Sequence, residues 1–176
     1  MFLVVAWLDF HERGGRIPGP LEPGNLFSEP SLDYVEDVFA PPIFRYEHNK
    51  RFAYKFSIRN RHDERVTITG IPLSLGRRGP QALMVKDEIL VDRDGHNIDY
   101  EPFRPIDLAP GEELFIEVKA HLAKCRNVLA PDNSIGVARQ LVHLRVEGRS
   151  DRQRMPHHPI QIAGPDYAGC PHREAK

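Results

Sequence analysis

Two cysteines and nine histidines are the side chains of this 176-residue sequence best suited to bond making or metal binding. Cys125 and Cys170 stand 45 positions apart, each near the edge of a strand-forming region rather than inside an apolar run. A redox pair would call for Cys-x-x-Cys and a zinc site for four ligands, and the sequence offers no such set. A structural disulfide is therefore the expected state, with two free thiols as the alternative. A bridge closing a loop of about 45 residues would remove denatured-state entropy worth about 4 kcal/mol. It would also clamp a carboxy-terminal tail short of apolar anchors, and it would persist outside the cytosol.

The histidines raise the question of a metal. His121 and His143 fall on the solvent-facing side of expected strands, His157 and His158 are consecutive, and His172 follows Cys170 closely. A copper site of cupredoxin type takes two His, a Cys and usually a Met from one loop end. Met155 and Cys170 are present, but the close Cys–His–Met run is not. Surface histidines on strands are the ordinary reading, so no cofactor is expected. A metal-handling domain using His121, His143, His157 and His158 is the second reading.

Catalytic signals are weaker still. Ser57, Ser74, Ser134 and Ser150 lack a Gly-x-Ser-x-Gly elbow. Glu112–Glu113 and Asp87–Glu88 are adjacent pairs, and neighbours in a strand point to opposite faces. Gly76-Arg77-Arg78-Gly79 lacks the Lys-Ser/Thr of a phosphate loop. Arg149, Arg152 and Arg154 alternate with polar residues as a solvated strand face would, with contact to an anion or lipid headgroup as the functional alternative. A net charge of −1 gives no electrostatic reason to expect nucleic acid. The residues thus point away from an enzyme.

The elements that position these groups read as strands. Phe52, Tyr54, Phe56 and Ile58 alternate with small or charged residues up to Asn60, which marks one face for a core. Val66 to Ile71 is β-branched and is expected as the hairpin partner across the polar turn Arg61–Glu64. Leu83 to Val91 is a weaker strand, closed by Asp92-Arg93-Asp94-Gly95. Pro110-Gly111 suits a type II turn leading into Leu114–His121. Val142, Leu144 and Val146 face inward on a further strand, and Ile160 and Ile162 mark a last one after Met155–Pro159. Ala123–Arg126 and Ile135–Arg139 could each form a turn of helix. About seven short strands with Pro/Gly turns predict an all-β antiparallel sandwich with Leu114, Ile116 and Val118 also in its core. Proline is abundant, 16 residues in all, and Pro18, Gly19, Pro20, Pro23 and Gly24 crowd residues 9–33 into what reads as an irregular arm or linker. Before it, Met1 to Leu8 is an uninterrupted apolar octet ending in Trp7-Leu8. It is too short to cross a bilayer by itself and lacks a cleavage site, but it suits the interfacial end of a membrane helix.

One resemblance enters here. Phe56-Ser57-Ile58-Arg59-Asn60 precedes Val66-Thr67-Ile68-Thr69-Gly70-Ile71; Phe103-Arg104-Pro105 and Leu108-Ala109-Pro110-Gly111-Glu112-Glu113 follow; a lone Cys125 and a final Cys170-Pro171-His172-Arg173 close the pattern. This order resembles a group of uncharacterised actinobacterial-type proteins with one amino-terminal membrane helix and an extracytoplasmic immunoglobulin-like domain. The resemblance implies a fold and an address, and no activity. The resemblance covers about Arg45 to Arg173 and departs at the start, where such relatives have a full membrane helix. Composition and patterning divide the chain into 1–8 as a candidate end of a membrane helix, 9–33 as a linker or arm and 34–176 as an immunoglobulin-like sandwich. The expected function is a non-enzymatic, membrane-tethered module on the extracytoplasmic face of the cell membrane, with an unknown protein or cell-surface partner.

Overall fold

The chain is described here by a computed structural model covering residues 19–27, 31–33, 43–72, 84–95, 100–123 and 134–164. Among these residues every regular element is a strand: β1 (Leu21–Phe27), β2 (Ser31–Leu32), β3 (Ile43–Arg45), β4 (Arg51–Asn60), β5 (Val66–Gly70), β6 (Met84–Asp92), β7 (Glu101–Pro102), β8 (Ile106–Leu108), β9 (Glu113–Leu122), β10 (Ser134–Val146) and β11 (Arg149–Ala163). One sheet has the order β1-β4-β9-β6-β7, with β2 also on β4, and the other has the order β3-β11-β10-β5-β8. All pairs are antiparallel except β3 with β11. Lettered A to G in chain order, the seven longest strands form A-B-E-D in one sheet and G-F-C in the other. That is the constant-type immunoglobulin arrangement. The expected antiparallel immunoglobulin-like sandwich is the observed fold.

Period-two alternation places the core. Phe52, Tyr54, Phe56 and Ile58 from β4 meet Leu114, Ile116 and Val118 from β9 and Val142 and Leu144 from β10, all buried; Val146 packs at the rim. At roughly 1.5–3 kcal/mol per fully buried large side chain, this shared interior is the main stabilising term.

Four expectations are corrected by the structure. β4 and β5 are not a hairpin, because β4 pairs with β1 and β9 while β5 pairs with β10 and β8. Both strands carry apolar inner faces, and crossing between sheets lets Phe56 and Ile68 face one interior. Asn60 turns that corner: its Nδ2 donates to the carbonyls of Glu64 (2.8 Å) and Leu108 (3.0 Å), and its Oδ1 accepts from the His62 amide at 2.9 Å. The arm at 9–33 is not irregular throughout, since Leu21–Phe27 and Ser31–Leu32 are strands on β4. Pro23 is accommodated because β1 is an edge strand whose register shifts between Pro23 and Phe27. Ile135–Arg139 belongs to β10 and forms no helical turn. Met155–Pro159 lies within β11, where three residues oppose one between Val137 and Arg139. Of the other expected helical turn, Ala123–Arg126, only Ala123 is among the described residues.

Candidate functional site

Polar side chains with fixed geometry occur in three places: between the sheets, along β1 and at the sandwich ends. Between the sheets, the Tyr54 hydroxyl on β4 donates to Gln140 Oε1 on β10 at 2.7 Å. The Gln140 amide nitrogen in turn donates to the carbonyls of Pro72 and Leu141. Antibody domains tie strands B and F with a disulfide; here a buried phenol–amide bond joins the same two strands. Burial pushes the Tyr54 phenol well above its ordinary range, so the group stays a neutral donor. His157 from β11 is buried with its ring centre 4.6 Å from that of Tyr54 and 6.2 Å from that of Phe56. Its side chain faces inward, so it is a core aromatic and not the surface ligand the sequence suggested.

Along β1, two distant residues hold the strand. The buried Gln153 amide pairs with one residue twice, accepting from Leu21 N at 3.0 Å and donating to Leu21 O at 2.6 Å. Glu113 accepts four bonds: from Asn25 N (2.5 Å), Asn25 Nδ2 (3.1 Å), Ser57 Oγ (2.5 Å) and Arg59 Nη2 (2.7 Å). Burial by itself would raise the Glu113 carboxyl, but the bonds from Ser57, Arg59 and Asn25 outweigh it and hold the group below its usual range. Gly24 allows this approach, because a Cβ there would lie 2.2 Å from Glu113 Oε1 and 2.3 Å from Ser57 Oγ. Glu112, by contrast, turns toward Arg93 and the Ala109 amide. The two glutamates diverge, Glu112 closing the turn and Glu113 opening β9.

Two open clefts lined by described residues lie at the sandwich ends. One, of about 600 Å³, is lined by Arg65, Thr67, Arg93, Ile106, Asp107 and Glu112, among others. Its charges neutralise each other: Arg65 lies 3.5 Å from Asp107, Arg93 lies 3.3 Å from Glu112, and Thr67 donates to Asp107 at 2.7 Å. The Thr67 hydroxyl, with Arg65 and Arg93, holds the Asp107 carboxyl below its usual range against a smaller cost of desolvation. The turn beside it is the expected type II turn, with Gly111 at φ 78° and Glu112 N donating to Ala109 O at 3.0 Å.

The second cleft, of about 470 Å³, is lined by Asn49, Arg51, Asp87 and His121. His121 Nδ1 sits 2.7 Å from Asp87 Oδ1, which orients the ring. This is a base with its orienting carboxylate, but the described lining supplies neither a hydroxyl nor a thiol. The structure does not gather the predicted histidines. His121 is on the outer face of the β9 sheet, His143 lies on β10 in the other sheet, and His157 is in the core. The side chain of His158, and Cys125 and Cys170 altogether, lie outside the described residues, as does Met1–Leu8. Among the described residues no three His, Cys, Asp or Glu side chains are placed to share a metal ion. No described helix is long and apolar enough to cross a membrane.

No protein-family model matches the chain, and no curated protein matches its sequence. Solved structures to which the chain is similar include the major pilin subunit of Bacillus cereus, with 10% identity, a TM-score of 0.40 and coverage of 77% of this chain and 40% of that one. Another is the N-terminal domain of a Streptococcus gordonii adhesin, with 11% identity, a TM-score of 0.37 and coverage of 84% and 33%. The VesB protease of Vibrio cholerae is similar at 14% identity and a TM-score of 0.38, with coverage of 90% and 34%. The chain thus spans less than half the length of these proteins, which include both enzymes and surface components.

Proposed function

We propose that the protein is a non-enzymatic binding or scaffolding module, held at the extracytoplasmic face of a cell membrane by its amino-terminal segment. The observation that carries this reading is how its sharply positioned polar groups are used. Glu113, Gln140, Gln153 and Asn60 each bond to segments far away in the chain and fix strands in place. The charges of the larger cleft are matched within it. A catalytic site would instead direct a nucleophile and base at a shared reacting position. The membrane part of the reading comes from the apolar octet Met1–Leu8 and the Pro/Gly-rich stretch after it. A bond between Cys125 and Cys170 fits the same oxidising address.

The test is to express the full chain with a carboxy-terminal epitope and fractionate the cells. The protein is expected in the carbonate-resistant membrane pellet, with its epitope removed by protease added to intact cells. Recovery in the soluble fraction would overturn the tether, and a protected epitope would overturn the address. Blocking thiols at lysis should leave both cysteines unalkylated; two alkylated cysteines on surface material would remove the bridge.

A further inference from the structure

We infer that the outer face of the β10–β11 hairpin is a docking surface for the anionic phospholipid headgroups of a membrane. Alternation sends Gln140, Val142 and Leu144 of β10 inward and Leu141, His143 and Arg145 outward; on β11, Gln153 and Met155 are buried while Arg152 and Arg154 are exposed. The register sets His143 directly across from Arg152, Leu141 across from Arg154 and Arg145 across from Ser150. Directly opposed side chains start about 5 Å apart and diagonal ones about 7–8 Å apart, so three guanidiniums share one small patch around His143.

Among the described residues the charge on this patch is unmatched. Among the described residues no ion pair joins Arg145, Arg152 or Arg154 to a carboxylate, whereas five cations on other strands and turns are paired: Arg59 with Glu113, Lys119 with Glu88, His121 with Asp87, Arg65 with Asp107 and Arg93 with Glu112. The nearest acids in the hairpin are Glu147 and Asp151 at its tip, alongside Arg149, and Asp107 is engaged by Thr67 at the β5 margin. Like charges at such spacing repel, which costs stability unless a ligand supplies the missing anions. The whole chain carries a net charge of only −1, so the patch is a local concentration and not a general excess of base.

The rest of the face selects the kind of anion. Among the described residues its other outward side chains include Arg139, Leu141, Thr67 and Pro156, and none of these is an aromatic platform on which a base or sugar ring could stack. It is a sheet surface rather than a groove. Guanidinium forks take phosphate oxygens two at a time, and a fluid lipid surface lets phosphates move to the spacing the arginines impose. The tether proposed above brings this face to a membrane and the inference rests on it to that extent; adsorption itself does not need the apolar octet.

The full chain should be sedimented with vesicles of phosphatidylcholine alone and of phosphatidylcholine with phosphatidylglycerol, at low and high salt. At about fivefold per basic residue near an anionic surface, replacing Arg145, Arg152 and Arg154 with Gln should lower partition to the anionic vesicles about a hundredfold. The triple Lys variant should keep most of the binding, and high salt should abolish the excess over neutral vesicles. Equal binding to both vesicle types, or a Gln triple variant that binds like the wild type, would overturn the proposal. So would binding of soluble polyphosphate without binding of anionic vesicles, which assigns the patch to a polymer. Anion-dependent binding with none to neutral vesicles would uphold this face while removing the octet from the tether. If the Gln triple variant does not fold, the single variants and the salt titration of the wild type give the same readout.

Discussion

Glu113 shows what one side chain contributes here. Its carboxylate receives four donors from β1 and β4, and bonds to a charged group are worth roughly 1.5–3 kcal/mol. Because the folded carboxyl titrates below its unfolded value of about 4.3, its contribution is complete above that pH and is lost as pH falls through the folded value. Glu113→Gln should therefore destabilise the protein by about 1–3 kcal/mol at neutral pH. The gap to the wild type should close on acidification below about pH 4, which urea midpoints across that range will show. A gap that stays constant would mean that shape, not charge, holds the site. The expectation that Glu112 and Glu113 do not act as a pair holds, although Glu112 lies in the turn before β9 and not on the strand. The sequence did not show Asn25 and Ser57 as partners, because they are 88 and 56 positions away.

At the scale of elements, β1 depends on side chains outside itself. Gly24→Ala would force a Cβ into Glu113 and Ser57, so β1 should loosen while the β4–β9 pairing stays intact. Hydrogen exchange should report this as lost protection at Leu26, whose amide donates to Ser57 Oγ at 2.8 Å, with Ile116 and Val118 unchanged. Unchanged exchange at Leu26 would show that the neighbours yield without releasing the strand. Gln153→Met keeps the length of the side chain but leaves the amide and carbonyl of Leu21 without partners. It should cost about 2 kcal/mol or more, read as a lowered denaturant midpoint. On the side of β6 away from β9, pairing among the described residues is with β7 at Leu90 and Val91. Lys86, Asp87 and Glu88 are exposed where its register shifts against β9, and charges at a bulge discourage pairing with a further strand.

For the whole molecule, one interior serves both sheets. Ile116 is fully buried within it, so Ile116→Asp places an unpaired charge where no partner exists. The expected loss exceeds about 4 kcal/mol, enough to leave no cooperative thermal transition. A melting curve near that of the wild type would remove Ile116 from the core. Tyr54→Phe is a finer probe, because it deletes the hydrogen bond between the sheets and keeps the ring. It should cost about 1–3 kcal/mol through the stranded Gln140 acceptor, and the loss should shrink when Gln140 is also replaced by Leu.

The sequence by itself determined which large apolar side chains of β4, β9 and β10 turn inward, because alternation is a property of the local backbone. Phe52, Tyr54, Phe56 and Ile58, then Leu114, Ile116 and Val118, then Val142 and Leu144, are buried as their period required. It also determined the Pro110–Gly111 turn, since only a residue that tolerates positive φ fits there. Tertiary structure decided which strands meet. Nothing local distinguishes a β4–β5 hairpin from a crossing between sheets until Leu108 and Glu64 are in place to receive the Asn60 amide. It decided that Pro23 and Gly24 sit within a strand, because Gln153 and Glu113 arrive from the far end of the chain to hold it. It also decided the side of His157, because a bulge in β11 resets the alternation between Met155 and Ile160, and bulges form only against a partner strand.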